Sequence, residues 1–137
     1  MLRLGALLTA VGLIGLAAAW VSGAGIRTLP TDVTIDLRYS RFEPASVSVP
    51  AGVPITIVLR NGDPIDHEWI VGDVAVHDRH RTGTEPAHGT RPTEVTVQAG
   101  ETRITTIVFE TPGVLRFVCH LPGHEEYGMT GEIVVGG

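Results

Sequence analysis

From Asp32 onward the apolar residues of this chain recur at every second position, in short bursts separated by glycine and proline. A period of two places one face of an extended strand in a core and the other in water, and no segment after residue 24 carries the three-and-four spacing of an amphipathic helix. The bursts run Val33, Ile35, Leu37; Val47, Val49; Ile55, Ile57, Leu59; His67, Trp69, Val71; Val95, Val97; Ile104, Thr106, Val108; Leu115, Phe117, Cys119; and Ile133, Val135. Turns fall at Ala51-Gly52, Ala99-Gly100 and Pro112-Gly113. This spacing predicts an all-β fold, a seven- or eight-strand antiparallel sandwich. Asp73 to Pro92 breaks the pattern and reads as one long irregular stretch, rich in charge, histidine and glycine.

Composition narrows the function classes. At 137 residues the chain holds one domain, and 43% apolar with 18% charged residues is ordinary for a folded protein. All ten basic residues are arginine against fifteen acids, and a net charge of -5 argues against a nucleic-acid partner. A single cysteine excludes an intramolecular disulfide, so the fold rests on its core and on whatever it binds.

Residues 1–24 read as a targeting segment, a signal peptide or an N-terminal membrane anchor, outside the fold. Arg3 precedes an apolar run from Leu4 to Val21 whose length lies at the border between the two, and Trp20 suits a membrane interface. Ala17-Ala-Ala19 and Ser22-Gly-Ala24 are both suitable cleavage sites, and with no cysteine there a lipoprotein anchor is excluded. Either way the remainder is expected outside the cytoplasm, periplasmic or at the cell surface. Residues 25–31 form a linker and 32–137 the domain.

The chemistry concentrates near the C-terminus, in Cys119-His-Leu-Pro-Gly-His124-Glu-Glu-Tyr-Gly-Met129. A thiolate, an imidazole and a thioether fall within this run, and a fourth candidate donor, His67, lies far upstream. Two imidazoles, one thiolate and a distant thioether form the donor set of an electron-transfer copper centre, because soft sulfur suits Cu(I) while imidazole suits both oxidation states. Pro122 and Gly123, one restricted and one permissive, can fold the loop so that Cys119 and His124 converge. Cys119 closes an inward-facing row, so its sulfur is expected from the core side.

These residues carry a family resemblance. The run resembles the copper-binding loop of the cupredoxins, the plastocyanin and azurin family of blue copper proteins. The likeness extends from about Phe42 to Val135 through Phe42-Glu-Pro44, Val47-Ser-Val49, Ala51-Gly52, Asn61, His67, Gly113, Cys119, Pro122-Gly-His124 and Gly128-Met129-Thr-Gly131. Its loop spacing is most similar to the longer-loop branch that includes rusticyanin. The resemblance implies a Greek-key β-sandwich and one type 1 copper ion, with His67, Cys119 and His124 as equatorial ligands and Met129 as the axial one. It implies a monomeric, non-enzymatic carrier of single electrons, whose redox protein partners dock near His124 at an end formed by Leu121, Pro122 and Gly123 with Pro64 and Ile65. Copper resistance or delivery, or service as an accessory domain of a multicopper enzyme, would use the same ligands and stays open. A metal-free adhesion sandwich is the bland alternative.

Two positions depart from the family pattern. Glu68 stands beside the upstream histidine where many members carry a small amide or hydroxyl residue, leaving only its backbone N–H to serve the sulfur. His120 follows Cys119 and should point to the opposite face, so it reads as a surface or partner-facing residue. His77, His80 and His88, with Asp78 or Glu85, form a candidate second metal site, although solvated loop histidines are the commoner case.

Overall fold

The computed structural model describes residues 29–85 and 91–136. The N-terminal segment 1–24, most of the linker and His88 lie outside the described residues. No helix among the described residues is long and apolar enough to cross a membrane.

The elements are β1 (Asp32–Arg38), β2 (Arg41–Glu43), β3 (Ser46–Pro50), β4 (Pro54–Asn61), β5 (His67–Gly72), α1 (Val74–Thr82), β6 (Glu94–Val97), β7 (Thr102–Val108), β8 (Gly113–Val118) and β9 (Thr130–Gly136). They build an all-β sandwich of two sheets, ordered β2-β1-β4-β7 and β3-β9-β8-β5-β6. The expected eight alternating bursts all became strands. A ninth, β2, spans three residues and is too short to show a period. The sheets are mixed rather than purely antiparallel, because β1 runs parallel to β4 and β3 parallel to β9. Alternation reports which face is buried and carries no information about strand direction.

Ile35, Leu37, Ile55, Ile57 and Leu59 of the first sheet and Val49, Trp69, Val97, Phe117 and Ile133 of the second are fully excluded from solvent. Burying each side chain of this size contributes about 1.5–3 kcal/mol. That is the stabilisation a chain without disulfides depends on. The expected facing of β7 is corrected. Ile107 is its buried residue, while Ile104 and Val108 are exposed. Register explains the change, since Ile55 and Ile57 of β4 pair with Ile107 and Thr105, which therefore share the core face.

The stretch after Asp73 is also corrected, because part of it is helical. Asp73 caps α1 by accepting the Val76 N–H at 3.0 Å, and Gly83 ends it in the left-handed region at φ 64°. Arg79, His80 and Arg81 in the last turn suit the negative end of the helix dipole. Its one buried residue is a histidine, His77, so no apolar stripe marks it in the sequence. Gly72 lets α1 approach β5, since a Cβ there would stand 2.6 Å from the Val76 Cβ.

Candidate metal centre

Two segments supply the donors. The turn from Asn61 to Asp66 delivers His67 as the first residue of β5. Asn61 is buried and its Nδ2 donates toward the carbonyls of Ile65, Val97 and Gln98, at 2.8, 3.0 and 3.0 Å. Its Oδ1 accepts the Asp63 N–H at 3.0 Å, so one side chain pins the turn to the neighbouring strand.

Asp63 then acts as a clamp. Its carboxylate accepts the N–H groups of Tyr39 and Ser40 at 2.8 and 2.9 Å and faces His67 Nε2 at 2.9 Å. Tyr39 and Ser40 hold φ values of 54° and 51°, a region unfavourable for side-chain-bearing residues, and this turn aims both N–H groups at the carboxylate. Burial works to raise the Asp63 pKa. The Ser40 and Tyr39 N–H groups and His67 outweigh it and hold the carboxyl below its usual range. A carboxylate on Nε2 fixes the proton there and leaves the lone pair of Nδ1 directed at the site.

The other donors come from the loop between β8 and β9. Cys119 follows β8, with its N–H donating to the Met129 carbonyl at 3.2 Å, while the Met129 N–H donates to the His124 carbonyl at 2.9 Å. Gly123 and Gly128 adopt φ values of 83° and 86°, which let the loop fold back on itself. The result brings His67, Cys119 and His124 together, one donor atom from each lying within 4.8 Å of the others. His124 Nδ1 stands 3.2 Å from Cys119 Sγ and 3.3 Å from His67 Nδ1. Met129 is fully buried in the core cluster that also contains Cys119.

Electrostatics keep the metal-free Cys119 as a thiol and set what a cation must supply. Burial pushes the Cys119 thiol pKa up, while the N–H groups of Glu68 and Leu121 oppose the shift. The Glu68 N–H reaches Sγ at 3.3 Å, as expected from the sequence. Backbone donors directed at sulfur stabilise a thiolate, and a bound cation supplies the remaining compensation. Burial, and then the charge of His67, lowers the His124 pKa and keeps that imidazole available as a neutral donor. Two imidazoles, a thiolate prepared by backbone N–H groups and a buried thioether fit one type 1 copper ion.

His120 corrects the sequence reading. It does face away from Cys119 Sγ, yet its side chain is only 3% exposed, because α1 and the ligand loop enclose it. Its Nε2 lies 3.0 Å from His77 Nδ1, and its ring stacks on His80 with centroids 5.5 Å apart. Burial lowers its pKa to about 4. The expected grouping of loop histidines is redistributed. His80 meets Glu85 and Glu94, His77 meets His120, and Asp78 pairs with Arg81 at 2.8 Å. Sequence reasoning missed Asp63, whose only signal was an acid within a Gly-Asp-Pro turn four residues before a donor histidine.

Comparison with known proteins agrees with this centre. The sequence model of the cupredoxin-like domain family matches residues 10–135. The copper-resistant cuproprotein CopI of Rubrivivax gelatinosus is 34% identical over 98 residues, covering 69% of this chain and 59% of its own length. The chain thus spans well under two thirds of that relative. CopI of Pseudomonas aeruginosa is 28% identical over 126 residues, covering 69% of this chain and 70% of that protein. Reduced auracyanin from Roseiflexus castenholzii superposes with a TM-score of 0.67 at 20% identity, covering 80% of this chain and 99% of that one, a likeness of fold. With its sandwich, its ligand loop and its sequence in accord, the chain belongs to the cupredoxin-like domain family.

Proposed function

We propose that the chain is an extracytoplasmic, non-enzymatic blue copper protein that carries single electrons, in which His67, Cys119, His124 and Met129 would hold the copper. The observation that supports this most is the preassembly of His67, Cys119 and His124 from two separated segments, with donor atoms already within 4.8 Å. When bound, copper supplies a one-electron Cu(II)/Cu(I) couple.

Each residue has a task in that reading. Cys119 provides sulfur whose charge the Glu68 and Leu121 N–H groups stabilise. Asp63 holds the His67 ring from behind, and the Asn61 side chain holds the turn that carries Asp63. A site fixed by so many hydrogen bonds rearranges little between oxidation states, which favours fast exchange. Buried Met129 keeps water from the core side, while His124 is half-buried at the rim. Exposed Pro122, Tyr127 and Ile65 border that rim and suit a brief encounter with a redox partner, of less than about 1,200 Å². The extracytoplasmic placement is supported by the signal- or anchor-like residues 1–24.

A second reading, copper resistance through copper handling, is favoured by the 34% identity to a protein named for copper resistance. Adding one equivalent of Cu(II) to the purified chain tests the site itself. An intense visible band with narrow copper hyperfine splitting, both abolished by reduction, is expected. Loss of those signatures from the wild-type chain would refute the ligand set. Electron self-exchange measured beside Cu(I) transfer to an acceptor chelator separates the two readings. Rapid exchange with slow transfer supports the carrier, and the reverse supports handling.

A further inference from the structure

Among the described residues, the histidines not used by the metal centre, His77, His80 and His120, converge on the opposite face of the second sheet. Helix α1 lays His77 against His120, with His77 Nδ1 and His120 Nε2 3.0 Å apart. Their rings stand 5.2 Å apart at 47°, close to the 5.0 Å and 55° that relate His67 and His124 in the metal centre. Two nitrogens each about 2.0–2.1 Å from a shared ion lie about 3 Å apart when they meet it near a right angle.

An outer nitrogen sets the tautomer of His120. His120 Nδ1 lies 3.4 Å from a Glu125 carboxylate oxygen, which favours a proton on Nδ1 and a lone pair on Nε2. Both oxygens of Glu125 are gripped by Arg81 of α1 at 2.7 and 2.8 Å, so the carboxylate is held in place. His77 is only 2% exposed, and its Nε2 makes no hydrogen bond of ordinary length among the described residues. The Nε2 lone pair of His120 then faces His77 Nδ1 across 3.0 Å, a gap that either a proton on His77 or a shared cation fills.

A competing cluster does not qualify. His80, Glu85 and Glu94 also bring donor atoms within 4.8 Å of one another, but guanidinium groups already occupy the carboxylates. Arg79 holds Glu85 at 2.7 Å, and Arg91 holds Glu85 and Glu94 at 2.9 Å each. Clefts border the histidine pair on two sides. A cleft of about 290 Å³ borders His120 beside Arg81 and Glu125, and another of about 410 Å³ borders His77.

We propose that His77 and His120 form a second metal site, two imidazoles completed by water, for a borderline divalent cation with Cu(II) favoured over Zn(II). His120 is joined to Cys119 by one peptide bond, so the two sites lie back to back across a single strand end. Lacking sulfur, the second site contributes no intense visible band and a wide copper hyperfine pattern.

The test is a Cu(II) titration of the full chain followed by absorption and electron paramagnetic resonance. Two equivalents are expected to bind, the second adding the wide pattern without intense colour. His77→Gln and His120→Gln should each weaken the second equivalent at least about tenfold while the first centre's colour persists. That persistence also reports an intact fold. A stoichiometry of one, as a plain His77–His120 hydrogen bond predicts, would overturn the proposal. So would a second equivalent that both glutamine variants bind as tightly as the wild type.

Discussion

Replacing Asp63 with alanine removes the group that joins the turn between β1 and β2 to the His67 ring. Three hydrogen bonds to one carboxylate are lost, from Tyr39 N, Ser40 N and His67 Nε2, at 2.8 to 2.9 Å. Hydrogen bonds to a charged acceptor contribute about 1.5–3 kcal/mol each, a gross loss of about 4.5–9 kcal/mol. The Asp63 side chain is 12% exposed, so water enters the vacated space and replaces part of that loss. A net destabilisation of about 2–4 kcal/mol is expected for the metal-free chain. Freeing the His67 ring should also weaken copper binding by about 10- to 100-fold. Urea unfolding with an unchanged slope reads the first quantity, and competition against a chelator of known affinity reads the second. The acid limb supplies a further check. Because folding lowers the Asp63 pKa, its stabilisation is complete above the ordinary carboxylate range and fades as pH falls through the lowered value. The alanine variant should therefore lose less stability between neutral and acid pH than the wild type. An unfolding midpoint and a copper affinity both matching wild type would show that Asp63 is a bystander.

Other expectations follow from the same geometry. Cys119→Ser should abolish the intense sulfur-to-copper absorption, and retained intensity would sink the ligand assignment. Met129→Leu should keep the colour and move the reduction potential upward, read by redox titration; an unchanged potential would remove Met129 from the coordination sphere. Because burial raises the Cys119 pKa, the metal-free thiol stays protonated at neutral pH and copper uptake must release that proton. Affinity should therefore rise about tenfold per pH unit below that pKa, and a flat profile would contradict it. Gly72→Ala places a methyl group 2.6 Å from the Val76 Cβ and should destabilise the chain by about 1–3 kcal/mol through displacement of α1, measurable by thermal unfolding.

Much of the centre was legible because its chemistry is compressed into one loop. Cys119, His124 and Met129 sit on a single segment, and alternation in His67, Trp69 and Val71 pointed the remote histidine inward, where all three are buried. Other features depend on partners that a linear pattern does not display. Ile104 and Ile107 are spaced by three, so a period of two cannot choose between them, and pairing with β4 makes the choice. Helix α1 buries a histidine rather than an apolar stripe, leaving only its caps, Asp73 and Gly83, as signals. For His120 alternation gave the correct face, but the cover over that face comes from a helix some forty residues upstream. Asp63 became recognisable as a clamp only once β1 and β2 had brought Tyr39 and Ser40 to it.

The loop from Cys119 to Met129 is closed on itself, through Cys119 N to the Met129 carbonyl and Met129 N to the His124 carbonyl. It hangs between the ends of β8 and β9, whose own pairing begins at Val118 and Thr130. Such a cassette can vary in length and lining while the sandwich beneath it stays the same. In the proposed reading, colour and driving force would then be set by a detachable part while the body that carries it stays unaltered.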